Sequence, residues 1–407
     1  METESLIEFI KFGSIPVIAG LVGLITNWLA IKLTFYPINF WGIPPFLGWQ
    51  GIIPSKARKM AEISVDSTLT RIGSVSEIIE QMNPDIIAEH ILLTLEPRTD
   101  ELVDEIMLKR HRTLWQNLPK PVKQIVYSRV KEQLPKIMND LVTDVSPKIE
   151  SLFNLKQMVI EKLEEDKTLL NKIFLECGNQ EFKFIIKSGL WFGFLFGLPQ
   201  LALWYFIPYP IILPVCGFLV GWATNWVALN MIFRPVKPVK LLGVKIHGLF
   251  LQRQNEVSES FCRIITEEIL TVDQIVQSML SGAESQRTRA IIQKHFENMV
   301  DETVGIIKPF TQAAMGPKGF AELKEDTGLK AIDLSAKTLS DPLFNHQRAQ
   351  VVQAIMAERM KQLPSDEFQD LLRPCFQEDE IKLIMIGGIL GALAGLAQVA
   401  YIFGQSL

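Results

Sequence analysis

The residues that could do chemistry are few and scattered. Histidines stand at His90, His111, His247, His295 and His346, and cysteines at Cys177, Cys216, Cys262 and Cys375, with no C-x-x-C or H-E-x-x-H spacing among them. Such spacing supports neither a zinc site nor a disulfide framework. The sequence also lacks a phosphate-cradling G-x-x-x-x-G-K-[ST], a G-x-S-x-G nucleophile elbow and a G-x-G-x-x-G placed after a strand. No catalytic residue, metal or cofactor is therefore expected, and an enzyme is the least favoured class.

What remains is polar chemistry inside apolar surroundings. Gly23-Leu24-Ile25-Thr26-Asn27-Trp28-Leu29-Ala30 lies in an apolar run and returns as Gly221-Trp222-Ala223-Thr224-Asn225-Trp226-Val227-Ala228. On a helix, Gly20, Gly23, Asn27, Ala30 and Thr34 form one small and polar stripe, with Trp28 pointing elsewhere; Gly221, Asn225 and Ala228 reproduce its core. Small residues let backbones approach, and an intramembrane Asn makes an interhelical hydrogen bond worth about 1 kcal/mol. The favoured reading makes Asn27 and Asn225, with Thr26 and Thr224, the glue between two halves of the chain. The alternative joins them to Gln200 and Gln398 as the wall of a polar path. The spans offer no carboxylate or His for a proton relay, which weakens a proton-coupled transporter.

The elements that must position these residues follow from composition. The chain has 407 residues, 48% of them hydrophobic and 21% charged, with mean hydropathy +0.20. This mixture suggests membrane spans joined to sizeable soluble parts. A net charge of −4 argues against a nucleic-acid partner. Spans are expected at 15–35, where Lys32 is the only charge, and at 185–207, 211–233 and 383–403. The Pro208-Tyr209-Pro210 corner joins the middle two as an antiparallel hairpin. Gly189, Gly193 and Gly197, and then Gly387, Gly391 and Gly395, form packing stripes at four-residue spacing.

Between the spans the pattern changes twice. Residues 36–54 are rich in Pro, Gly and aromatics and read as an interfacial loop or short hairpin, with Trp41 and Trp49 suited to the headgroup zone. Residues 234–249, with Lys237, Lys240 and Lys245 among apolar residues, read as a partly strand-like counterpart. Residues 55–180 and 250–380 read as amphipathic helical domains. In the first, Ser76 and Asn83 are candidate N-caps, and Val122, Ile125, Val126, Val130, Leu134, Ile137 and Leu141 recur at helical spacing, so one face is expected to be buried. Lys56 with Glu62, and Arg253 with Glu259, are expected to pair beside the membrane, and Lys56, Arg253 and the three lysines are candidate contacts for lipid headgroups.

A shift of roughly two hundred residues aligns far more than the opening octapeptide. Phe35, Pro37, Gly51, Lys56 and Gln200 fall on Phe233, Pro235, Gly248, Arg253 and Gln398. The expected fold is thus an all-α integral membrane protein with four transmembrane helices in two parallel tandem repeats, 1–209 and 210–407, each with a helical cytoplasmic domain. Lys32, Lys56, Lys183, Arg234, Lys237 and Lys382 gather on one side of the spans. By the positive-inside rule both helical domains are cytoplasmic and the termini outside. A bacterial-type plasma membrane is expected, a plastid-type membrane being the alternative.

G-x-x-T-N-W-x-A, then F-Y-P, then Gly48-Trp49-Gln50-Gly51-Ile52-Ile53-Pro54-Ser55-Lys56-Ala57, and Gln377-Glu378-Asp379-Glu380 ahead of Gly391, Gly395 and Gln398 resemble the bacterial and plastid-lineage membrane family called domain of unknown function 445, which includes YheB-like proteins. The second half departs from the pattern, with Leu249-Phe250-Leu251-Gln252 in place of Ile52-Ile53-Pro54-Ser55. The resemblance implies membrane anchorage and helical cytoplasmic domains, and it carries over no catalytic residues. The function expected is a non-enzymatic membrane-anchored scaffold that binds membrane lipids, protein partners through its helical domains, or a second copy of itself. The runner-up is a small-solute or lipid transporter.

Overall fold

Four helices are long and apolar enough to cross a membrane, with candidate spans Gly13–Phe35, Asn179–Phe206, Ile212–Phe233 and Glu380–Ala400. They belong to a computed structural model that describes residues 2–43, 47–207, 209–241, 244–305, 308–377 and 380–403. Pro208 of the expected corner, together with Glu378 and Asp379, lies outside the described residues, as does the side chain of Lys245. The first span is the apolar part of a longer helix, Glu2–Phe35, and the fourth of helix Glu380–Phe403.

The structure divides into two compact units, and each draws on both halves of the sequence. The first comprises Met1–Arg71, Ile160–Phe261 and Ala357–Leu407; the second comprises Ile72–Val159 and Cys262–Met356. All four spans therefore lie in the first unit, while helices from the middle of each half make up the second.

Within the first unit, glycine decides which spans pair. A Cβ on Gly23 would meet the Gly189 carbonyl at 2.3 Å, and one on Gly193 or Gly197 would meet Ala19 or Pro16 backbone at 2.6 and 2.8 Å. As residue numbers fall along the first span they rise along the second, so the two run antiparallel. The third and fourth spans repeat this, with Gly221 against Gly387 O at 2.2 Å and Gly395 against Leu213 O at 2.5 Å. Backbones this close exclude any side chain, which is why these positions carry none. The connected second and third spans also touch, and Ile15, Trp204 and Leu213 form a small buried cluster.

Each paired set carries a small antiparallel hairpin after its leading span. Trp41–Ile43 pairs with Leu47–Trp49, and Val239–Leu241 with Val244–Ile246. A short helix follows each, Ile52–Ser55 and Leu249–Gln252. The tie that closes the turn is the same: Gly51 N donates to Pro37 O at 2.9 Å and Gly248 N to Pro235 O at 3.1 Å.

The second unit is helical throughout most of its described residues. Helix Val75–Gln81 starts at Ser74, whose side chain and Glu77 form a capping box. This corrects the expectation of Ser76, whose hydroxyl instead donates to Glu150; the Glu three residues after Ser74 makes it the better cap. Asn83 does cap helix Pro84–Leu95 with Pro84 in the first turn. Helix Lys120–Val145 packs on helix Ser285–Val304, and this one on helix Lys308–Leu339; Leu134 and Ile137 of the expected face are buried, whereas Ile125, one position off the row of Val122, Val126 and Val130, is 55% exposed.

Candidate functional site

The Thr-Asn-Trp triplets divide their labour in the same way in both places. Thr26 Oγ1 donates back to Gly23 O at 3.2 Å and Thr224 Oγ1 to Gly221 O at 3.1 Å, so each hydroxyl is satisfied within its own helix. Asn27 Nδ2 donates across to Ile185 O at 2.8 Å, and Asn225 Nδ2 to Leu383 O at 2.9 Å. Trp28 and Trp226 face outward, each 48% exposed. Lys32 lies over the rings of Trp28 and Tyr36 at 5.6 and 5.7 Å, the geometry of a snorkelling lysine held by cation–π contact.

These bonds relocate the expected glue. Ile185 belongs to the span that pairs with Asn27 within its own half, and Leu383 stands likewise to Asn225. Each asparagine therefore ties two spans of one half rather than the two halves to each other. The reason is glycine: Gly189 and Gly387 lie so close that a Cβ on either would come within 2.7 and 2.1 Å of the respective Asn nitrogen. The amide fits only against a neighbour without a side chain. Both Asn Oδ1 atoms are buried without a protein partner.

The expected polar path is correspondingly split. Thr26, Gln200 and Gln398 do meet, around a void of about 20 Å³ bounded by Gly23, Gly221 and Gly395. That is room for about one water. Gln398 Nε2 is buried there without a partner. Asn225 instead borders a different void, of about 50 Å³, with Glu181, Phe35 and Phe250, whereas Asn27 and Thr224 are engaged by helix backbone.

The hairpins present different faces. Trp41, Ile43 and Leu47 on the first are 77%, 71% and 76% exposed, and Trp49 stands opposite Trp41 in the register. Trp49 Nε1 donates to Leu33 O at 3.1 Å, so the hairpin also satisfies one of the free carbonyls at the end of the first span. The second hairpin exposes Lys237 and Lys240, and its register sets Lys240 opposite Lys245.

Charge pairing beside the spans departs from expectation. Arg253 reaches back to Glu181, with Nη1 at 2.9 and 2.7 Å from the two carboxylate oxygens, and to Glu256 at 2.9 Å. Glu259 pairs with Lys361 and Glu62 with Arg58. Arg253 and Glu259 are six apart and point to different helix faces, whereas three or four apart are neighbours, so Arg253 takes Glu256 rather than Glu259. Burial pulls the Arg253 pKa down, but hydrogen bonds with Glu181 and then Glu256 outweigh it and hold the pKa above its ordinary value. Sequence reasoning missed Glu181, and also two caps: Asn171 Nδ2 donates to Phe35 O at 2.6 Å, and Gln369, its amide nitrogen turned inward, donates to Phe233 O at 3.0 Å. An amide at matching places in the two halves is the only sequence signal for these.

A cavity in the second unit measures about 430 Å³ and is bounded by Val126, Val130, Trp115, Val300 and Leu323. Among the described residues no group of His, Cys, Asp and Glu side chains could hold a metal ion.

The chain is similar to bacterial membrane proteins. A UPF0754 membrane protein of Anoxybacillus flavithermus is 26% identical over 126 residues, which is 30% of this chain and 34% of that relative. A UPF0754 membrane protein of Staphylococcus aureus is 26% identical over 99 residues, 24% of this chain and 26% of that relative. The chain thus spans about a third or a quarter of the length of the curated relatives it matches. No family model and no solved structure matches it.

Proposed function

We propose that the protein is a non-enzymatic, membrane-anchored scaffold built from two parallel copies of one unit of span, interfacial hairpin, helical segment and span. The helical segments lie in the cytoplasm and the termini outside, as the lysines and arginines beside the spans favour. The aromatic hairpin inserts among lipid headgroups and the basic hairpin engages anionic ones. The equivalent bonds of Asn27 and Asn225, of Thr26 and Thr224, and of Asn171 and Gln369 support the two-copy reading.

The observation that carries the scaffold reading is the closeness of the glycine seams: the voids described among the spans measure only about 20 and 50 Å³. A solute path needs far more than room for about one water. The second reading, a small-solute or lipid transporter, is favoured by the meeting of Thr26, Gln200 and Gln398 around the smaller void. Proteoliposomes carrying an entrapped small dye and a fluorescent headgroup lipid separate the two. The scaffold reading expects neither to move faster than in empty liposomes. Flux that disappears in the Gln200→Leu, Gln398→Leu double variant would establish the transporter instead.

A further inference from the structure

The apolar cavity of the second unit has the dimensions of a ligand site, and nothing in the scaffold reading uses it. Its volume, about 430 Å³, falls within the range of about 300–1,000 Å³ usual for small-molecule pockets. Val122, Val126, Val130 and Leu134 border it at four-residue spacing along helix Lys120–Val145. At 1.5 Å per residue this row runs about 18 Å. The cavity is therefore elongated along this helix, longer than it is wide, and hydrocarbon packs against such a wall at a contact distance of about 4 Å.

Two polar groups interrupt the apolar wall. Thr303 is 8% exposed, and its Oγ1 is buried without a partner, although its carbonyl is taken by Arg129 at 2.9 Å. Lys330 is the one charged side chain among the described lining residues; it is 25% exposed and pairs with Glu105 at 2.6 Å. The remaining lining hydroxyls, of Thr99 and Thr327, are spent on the carbonyls of Leu95 and Leu323.

We infer that this cavity binds one linear acyl chain whose anionic head lies beside Lys330, with the Thr303 hydroxyl available to a polar group of the ligand. The elongated apolar wall suits an extended hydrocarbon, and an anionic head can take Lys330 over from Glu105, whereas a cationic head meets no free carboxylate there. The head belongs either to a free fatty acid or to a single-chain phospholipid, which share this chemistry. The inference does not depend on the scaffold reading, since a transporter with the same second unit would carry the same site.

The test uses the full chain in lipid nanodiscs, because detergent would itself compete. A long-chain fatty acid bearing a tail diazirine, and separately a lysophosphatidylglycerol bearing the same group, are photolysed with the protein and the labelled peptides mapped. Labelling is expected on the segments containing Val126–Val130 and Val300, and an excess of the unlabelled ligand should suppress it about tenfold, a factor equivalent to a tenfold change in occupancy. Val126→Trp and Val300→Trp, which fill the void, should cut labelling by a similar factor. Lys330→Ala should weaken it severalfold for whichever probe is the physiological type, and Thr303→Val should weaken it more than Thr303→Ser. If a filled variant misfolds, competition on the unaltered chain still decides. Labelling confined to spans and hairpins, or in these segments but unaffected by competitor, overturns the inference. Trp41→Ser should leave the labelling unchanged, which keeps the outcome separate from that of the hairpin reading.

Discussion

Adding one methyl group to Gly23 should destabilise the protein, whereas the same change ten residues earlier should not. A Cβ on Gly23 would sit 2.3 Å from Gly189 O, a backbone atom, whereas ordinary contact begins at 3.4 Å. The first two spans must therefore separate by roughly 1 Å, an overpacking that costs about 1–3 kcal/mol. Such a movement also stretches the Asn27–Ile185 bond from 2.8 Å beyond hydrogen-bonding range, a further cost of about 1 kcal/mol. Against this stands a helix-propensity gain of up to about 1 kcal/mol for Gly→Ala. Gly23→Ala is thus expected to lose about 1–3 kcal/mol net. A Cβ on Gly13, in the same helix, would find nothing within 4 Å, so Gly13→Ala keeps only the gain. Gly221→Ala, facing Gly387 O at 2.2 Å, should resemble Gly23→Ala. Reversible unfolding by sodium dodecyl sulfate in mixed micelles measures all three. Shifts of the same sign for Gly13→Ala and Gly23→Ala would refute the reasoning.

Three further outcomes are expected. Asn27→Leu and Asn225→Leu should each cost about 1 kcal/mol, and the double variant should cost their sum within about 0.5 kcal/mol because the two amides share no partner; a larger coupling in the same unfolding assay would restore a shared seam between halves. Glu181→Gln should cost about 1.5–3 kcal/mol, the worth of hydrogen bonds to a charged group, because Arg253 keeps Glu256 as a partner, and replacing Glu181 and Arg253 together with Leu should cost clearly less than the two single changes summed, read by thermal unfolding in nanodiscs. Tyr127 is held above the ordinary tyrosine pKa, first by burial and then by the Asp104 carboxylate that accepts its hydroxyl. A raised folded pKa means that its contribution is present below about pH 10 and is lost as pH rises through the folded value. Alkaline absorption titration should therefore show one tyrosine ionising above the ordinary range, and Asp104→Ala should bring it down only part of the way because burial remains.

Much of the membrane architecture is legible in the sequence because its signals are local. Length and apolarity mark the spans, and Pro, Gly and Trp mark the first hairpin. Partner choice is not local. Glycine spacing shows that Gly189 and Gly387 will meet something closely, yet only the packed helices show that each faces the Thr-Asn-Trp span of its own half. Asn27 consequently reads as a seam between halves until its acceptor, Ile185, is seen. The pairing of Arg253 with Glu181 joins residues 72 apart, a separation at which no helical periodicity operates. The second unit is less legible still. Val122, Val126 and Val130 read as an ordinary core face, and a sequence contains nothing to show that the volume they face is left open.

The interleaving of the second unit sets a timetable for synthesis. Its first segment ends at Val159 and its last residue is Met356, so at about 5–20 residues per second the early helices wait roughly 10–40 s for their partners to leave the ribosome. During that interval the second and third spans are also made, while the face of Val122, Val126 and Val130 stands uncovered. How long it stays so is set by the speed of translation after Val159 rather than by the stability of the finished molecule.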